Sequence, residues 1–262
     1  YFRVAPLLQA LDELQQGRLP APTVAVTFDD GYADNLDVAF SVLQHFDVPA
    51  TVFVAPGFLD GGLMFNDAIT EIFRQAPAGL FDLQPFGLGN WQLGDWASRR
   101  QAANKVTLQI KYQTLAERQS LIARLAQFAG AALPDDLMLS SEQLRRLNQA
   151  ELIDIGAHTV NHPILARLDD AAAEAEICGS KVQLERLLGE SVELFAYPNG
   201  KPGNDYLPQH VSQVQGAGFR YALSTSEGVA RNPNALFEVP RLSSWDRTPL
   251  RFLARMCLML LR

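Results

Sequence analysis

Cysteine is almost missing from this 262-residue chain: Cys178 and Cys257 stand far apart, and neither has a Cys or His beside it. Such a pair offers no disulfide framework and no cysteine-built metal site, so both read as packing residues and the redox compartment stays open. Charge is sparse, with 19% Asp, Glu, Lys and Arg, and the balance is acidic at −7. A chain without clustered Lys and Arg lacks the footprint of a nucleic-acid surface. No apolar run is long enough to span a bilayer. The chain opens without Met and without a basic-then-apolar leader, which leaves a signal peptide undecided. What remains is 48% hydrophobic, enough for a full core, and the length suits one α/β barrel domain.

The stretch Val24-Ala25-Val26-Thr27-Phe28-Asp29-Asp30-Gly31-Tyr32 organises the rest. Its first half is an apolar, β-branched run entered from Pro20 and Pro22, which predicts a buried strand over 23–30. Two adjacent carboxylates close it. Side chains alternate along a strand, but where the backbone turns at its end both acids can enter one cavity. Carboxylates that close repel each other, and a cation resolves the conflict by holding them ionised.

Around this strand the pattern alternates. Residues 1–4 predict a short strand, and Leu7, Leu8, Leu11 and Leu14 a helix ended at Gly17. A helix over 35–46 and a strand over 50–55 then complete a βαβ unit, which implies a parallel sheet. From about 58 to 139 the rhythm stops: a helix near 65–75, an aperiodic stretch rich in Gly, Phe and Trp over 80–96, and one or two long helices over 98–129. This block reads as a mostly helical insertion over one barrel face, shaping a substrate cleft, with extra barrel helices as the alternative. The alternation resumes with a helix from Ser141, a strand over 152–157, a helix over 169–188, strands over 192–197, 221–225 and 236–242, a helix over 206–215, and a last helix over 248–262. That final helix carries Arg251, Arg255 and Arg262 roughly on one face. It is read as packed over the barrel end, with contact to anionic lipid as the less favoured alternative.

His158 and His162 use two of only four histidines, four residues apart, directly after a buried strand. On a helical turn that spacing puts both imidazoles on one side, and two His with one Asp and open positions make a catalytic metal site rather than a structural one. Asp30 is the natural third ligand. His45 has no partner and reads as a solvated helix residue.

These residues carry a resemblance. Thr27-Phe28-Asp29-Asp30-Gly31, His158-Thr159-Val160-Asn161-His162 and Phe195-Ala196-Tyr197-Pro198-Asn199-Gly200 resemble the three signature motifs of the polysaccharide deacetylases, carbohydrate esterase family four. The resemblance runs from about 20 to 245, the insertion apart. It implies a distorted (β/α)7 barrel filling a single domain over 1–262, with the insertion at about 58–139. It implies Asp29 as catalytic base, Asp30, His158 and His162 as ligands of a divalent metal, usually zinc, and a backbone N–H near Asn199 as oxyanion donor. Tyr32, Tyr197, Pro198 and Trp245 become the candidates for touching substrate, while Thr159 shapes the turn between the histidines. The implied substrate is an N-acetylated glycan of bacterial origin: an exopolysaccharide, a capsule or a lipid-linked glycan, met in the cytoplasm or cell envelope.

Two departures stand out. Many family members begin the third motif with an Arg that orients the base; here it is Ala196, and Arg241 on a neighbouring strand is the replacement candidate, against a plain surface Arg. The late Leu-x-His that supplies the general acid is missing, which leaves His210, Asp205, Asp246 or water. Trp245 walls the pocket or packs in the core; Trp91 and Trp96 stack on sugars or build the insertion's own core. O-acetyl esters, non-carbohydrate amides, or glycan binding without turnover are the alternatives to N-deacetylation.

Overall fold

The computed structural model describes residues 2–20 and 22–260, so Tyr1 of the first expected strand and Arg262 of the last helix lie outside it. The chain forms two compact units, residues 1–59 with 139–262, and residues 60–138.

In the first unit the elements run β1 (Arg3–Val4), α1 (Leu7–Gln15), β2 (Thr23–Val24), β3 (Val26–Phe28), a wide helical turn at Asn35–Ala39 leading into α2 (Phe40–Phe46), and β4 (Ala50–Val54). The second unit holds α3 (Phe65–Gln75), β5 (Gly79–Asp82), β6 (Asn90–Leu93), α4 (Trp96–Ile110) and α5 (Leu115–Ala129). The first then resumes with α6 (Ser141–Asn148), β7 (Ile153–Ala157), α7 (Asp170–Leu188), β8 (Leu194–Ala196), α8 (Pro208–Gly216), β9 (Tyr221–Glu227), β10 (Val239–Arg241) and α9 (Pro249–Leu260).

Six of these strands form one parallel sheet in the order β10-β9-β8-β7-β4-β3, curled into a half-barrel. The strand expected over 23–30 breaks at Ala25: its first part pairs β1, its second part pairs β4. Alternation sorts side chains onto two faces. Val52, Val54, Ile153, Ile155, Ala157 and Phe195 pack under the helices with Leu144, Ile177 and Leu184. Phe53, Leu194, Ala196, Leu223 and Val239 face inward, where Leu7 and Leu11 of α1 join them. Period-2 patterning thus gives the sheet two buried faces, as parallel sheets require. On the inner face Gly156 is set by contact: a Cβ there would stand 2.4 Å from the buried ring of Phe53.

The second unit has a core of its own, with Ile69, Ile72 and Phe73 of α3, Val106 and Ile110 of α4, and Leu125 of α5. Its aperiodic stretch is a hairpin, β5 against β6, closed through a turn containing left-handed Gly87 and Gly89. Four-residue strands joined by so long a turn leave too little alternation to read. Thr114 and Glu117 form a reciprocal cap that starts α5 and separates it from α4. Trp91 packs at the edge of this core with its Nε1–H on the Leu88 carbonyl at 2.9 Å, whereas Trp96 is exposed.

No described residue of α9 is fully buried; Phe252, Arg255, Met256, Met259 and Leu260 are half-buried and the others exposed.

The inner face admits no added methyl at Gly156. Gly156→Ala should lower unfolding free energy by about 1–3 kcal/mol, the cost of overpacking a filled core. Urea denaturation measures it, and an unchanged midpoint would contradict this packing.

Candidate metal centre and active site

The site is assembled at the strand ends by parity and by a set of left-handed turns. Thr27 and Asp29 share the inward parity of β3, His158 continues that of Gly156 on β7, and Arg241 that of Val239 on β10. Asp30, next to Asp29, would point to the helix side if the strand continued. Its φ of +78° turns the backbone instead, and Gly31 at +84° completes the turn in a left-handed conformation that favours glycine, where a Cβ would press on Val54 at 3.0 Å. Thr159, His162 and Asn199 are also left-handed. Four of the six non-glycine residues at positive φ in the described chain therefore lie in the three motifs. Such strain persists only where surrounding bonds over-determine the backbone.

Those bonds are visible around the histidine loop. Glu176 of α7 accepts from the N–H groups of Val160 and Asn161 at 2.9 and 2.8 Å through one oxygen, and from the Asn161 amide at 2.7 Å through the other. Gly57 donates to the Val160 carbonyl at 2.9 Å, and a Cβ on it would lie 2.6 Å from the same oxygen. Two of the three residues linking the histidines, Val160 and Asn161, are thus gripped, which leaves the imidazoles little freedom. Glu176 escaped sequence reading: it is one of several acids in an ordinary amphipathic helix, and its task depends on where α7 packs.

Asp30 Oδ1 stands 3.5 Å from His158 Nε2 and 3.4 Å from His162 Nε2, and the ring centroids are 4.8 Å apart. Ligands about 2.1 Å from a tetrahedral zinc are separated by about 3.4 Å, so the donor set has the size of a metal site. The tautomer also fits. His158 Nδ1 donates to the Ala196 carbonyl at 2.6 Å, which leaves the Nε2 lone pair facing Asp30 and His162. Burial pushes the His158 imidazole down, yet Asp30 and Asp29 outweigh it and hold the ring above its ordinary value. Two carboxylates here draw positive charge, as a proton or as a metal ion. Among the described residues these three form the one group of at least three His, Cys, Asp or Glu side chains able to hold a metal.

Asp29 is held separately. Arg241 forks onto it, Nη1 to Oδ1 at 2.7 Å and Nη2 to Oδ2 at 2.9 Å, while its Nε donates to the Ser224 carbonyl at 2.9 Å. Burial alone would raise the Asp29 carboxyl; the charges of His158 and Arg241 and the fork itself hold it below the ordinary carboxylate range. Arg241 is therefore no plain surface residue: its side chain is 15% exposed and its fork is fully used.

The other candidates scatter. Asn199 is half-exposed at the turn after β8, with its carbonyl fixed by the Thr225 hydroxyl at 2.6 Å. Its N–H meets no acceptor among the described residues. Tyr32 is half-buried just past the Asp pair. Tyr197 corrects the sequence reading: it shares the parity of Phe195, is fully buried, stacks on Tyr206 at 3.8 Å and gives its hydroxyl to the Phe237 carbonyl. It supports the turn and does not reach substrate. Pro198 is buried beside it. Trp245 is 88% exposed and is not a core residue. Of the acid candidates, buried His210 takes the Leu207 N–H on Nδ1, Asp205 takes the Lys201 N–H and the Asn204 amide, and Asp246 is clamped by Arg255.

Comparison with known proteins follows the same outline. The profile of the polysaccharide deacetylase family matches residues 16–80 and 93–222. No curated protein matches the chain. Among solved structures, the deacetylase PplD of Streptococcus pyogenes, in complex with acetate, superposes with a TM-score of 0.61 at 19% identity, over 97% of this chain and 80% of that one. IcaB from Ammonifex degensii gives 0.59 at 19%, over 98% and 81%. The deacetylase domain of BpsB from Bordetella bronchiseptica gives 0.57 at 18%, over 92% and 78%. At such identities the likeness establishes the fold.

Zinc titrated into chelator-stripped protein should bind one equivalent, and Asp30→Ala or His162→Ala should abolish the site. Glu176→Gln, which sets an amide against two N–H donors, should weaken binding about 10- to 100-fold while the protein stays folded. Unaltered affinity in all three would remove the assignment.

Proposed function

The chain belongs to the polysaccharide deacetylase family, and from that premise we propose that it is a metal-dependent hydrolase removing N-acetyl groups from the amino sugars of a bacterial exopolysaccharide, capsule or lipid-linked glycan. The observation that carries this reading is the division of labour between neighbours: Asp30 joins two histidines as a donor set of metal-site dimensions, while Asp29, forked by Arg241, stays outside that set and ionised. Binding a glycan needs no base beside a cation; hydrolysing an amide does.

Two imidazoles and one carboxylate suit zinc. When bound, such a metal polarises the acyl carbonyl and acidifies a water molecule. The remaining work falls to the chain. Asp29 takes the proton of the attacking water as the new C–O bond forms. Arg241 keeps that carboxylate oriented, as an Arg at the start of the third motif would do from the other side. A backbone N–H near Asn199 would serve the charge developing on the acyl oxygen. Collapse breaks the C–N bond and the amine must gain a proton. The proposal assigns this step to Asp29, which returns the proton it took, so one carboxyl group serves as base and then as acid.

Acetate release from N-acetylglucosamine oligomers and from crude bacterial exopolysaccharide tests this. Chelator should stop release and zinc restore it, and Asp29→Asn should lower the rate about 100- to 10,000-fold with metal still bound. Release that ignores chelator, or none from any substrate with metal in place, would contradict the proposal.

A further inference from the structure

The helix α9 has one half-buried side, Phe252, Arg255, Met256 and Met259, and one exposed side. On the half-buried side the polar contacts are made by arginine. Arg255 reaches back to Asp246 Oδ2 through Nε and Nη2 at 2.8 and 2.6 Å, to Glu227 through Nη1 at 2.9 Å, and to the Ser243 carbonyl. At the far end Arg231 donates to the Leu260 carbonyl at 2.7 Å, closing the helix C-terminus. The helix is therefore fixed in orientation by polar contacts on one side.

The other side is apolar. Leu250, Leu253, Ala254, Cys257 and Leu258 follow the spacing of one helical stripe, and none of the five is charged. Leu250 is 80%, Leu253 48% and Leu258 58% exposed. Trp245 stands out in the segment just before. Arg251 borders the stripe and Arg247 precedes the helix; both are exposed, and neither forms an ion pair among the described residues. Residues 242–262 contain Arg247, Arg251, Arg255 and Arg262 against Asp246, a local charge of +3 (4 − 1) in a chain of −7. Apolar side chains facing out, a basic border and a tryptophan beside them ask for a partner that is apolar beneath and anionic on top.

We propose that α9 and Trp245 form a membrane-surface anchor, with the leucine stripe seated at the boundary of acyl chains and headgroups in an anionic phospholipid bilayer and Arg247 and Arg251 on lipid phosphates. The proposal places the helix in the plane of the surface; no helix among the described residues is long and apolar enough to cross a membrane. A bilayer satisfies both demands without a matched shape, whereas a protein partner would have to present carboxylates around a fitted groove. The inference rests on this surface alone and is independent of the deacetylase reading.

Sedimentation of the full chain with vesicles of phosphatidylcholine, with and without phosphatidylglycerol, tests it. Wild-type protein should sediment with the anionic vesicles, release in high salt, and ignore phosphatidylcholine alone. Arg247→Ala with Arg251→Ala should weaken binding roughly 30-fold, since each arginine near an anionic surface is worth about fivefold. Leu250→Asp with Leu253→Asp and Leu258→Asp should abolish it. All variants change exposed residues, so their circular dichroism and zinc affinity should match wild type. No sedimentation with anionic vesicles would overturn the proposal, as would binding indifferent to the leucine and arginine changes. A dimer in light scattering that the leucine changes dissolve, with vesicles left unbound, would assign the face to a second copy instead.

Discussion

The fork between Arg241 and Asp29 is the interaction on which the site depends. The six-stranded sheet has two outer strands, β10 and β3, with no ladder between them. Arg241 ends one and Asp29 follows the other, so two charge-assisted bonds of 2.7 and 2.9 Å cross the seam that backbone pairing leaves open. The same bonds resolve the conflict built into adjacent carboxylates. Asp29 spends its negative charge on a guanidinium that never loses its proton. Asp30 is left to two imidazoles and the cation they would share. One arginine thus separates two chemically identical neighbours into a base and a ligand.

Strain is spent where that separation is made. Asp30, Thr159, His162 and Asn199 all occupy left-handed backbone, and for Thr159, branched at Cβ, the conformation is especially unfavourable. Each is held by contacts that do not involve substrate: Glu176 and Gly57 on the histidine loop, Thr225 on the Asn199 carbonyl, and the Leu139 N–H on the Gly31 carbonyl at 2.9 Å. Leu139 is where the chain re-enters the first unit, so the turn that carries the metal ligand is tied to a residue more than a hundred positions further along. The geometry is prepared before any ligand arrives, which is the arrangement electrostatic catalysis requires.

Much of this was legible in the residues. The Asp pair at a strand end, the two histidines after another strand, and the alternation of strands and helices all rest on local patterns. Arg241 was legible only as a candidate, because its partner lies more than two hundred residues away and an arginine after a strand has many ordinary explanations. Tyr197 misled because motif position was weighed above parity: two residues after Phe195, it shares that side chain's burial. Glu176 gave no signal at all, since a helix acid becomes a clamp only through packing. The hairpin of the second unit was hidden by strands too short to alternate twice.

The most direct test of the central claim is the pH dependence of kcat/KM for acetate release in Arg241→Gln beside wild type. In wild type the Asp29 carboxyl sits below the ordinary carboxylate range, so the base is ionised and activity persists well into acid. Without the guanidinium, its charge and its hydrogen bonds no longer oppose burial, so the carboxyl titrates higher than in wild type and protonation silences the base at a higher pH. The account predicts an acid limb displaced upward, with much of the lost activity recovered at alkaline pH. A uniform loss across pH, with the limb where wild type has it, would mean that Arg241 only braces the fold and that something else keeps Asp29 charged.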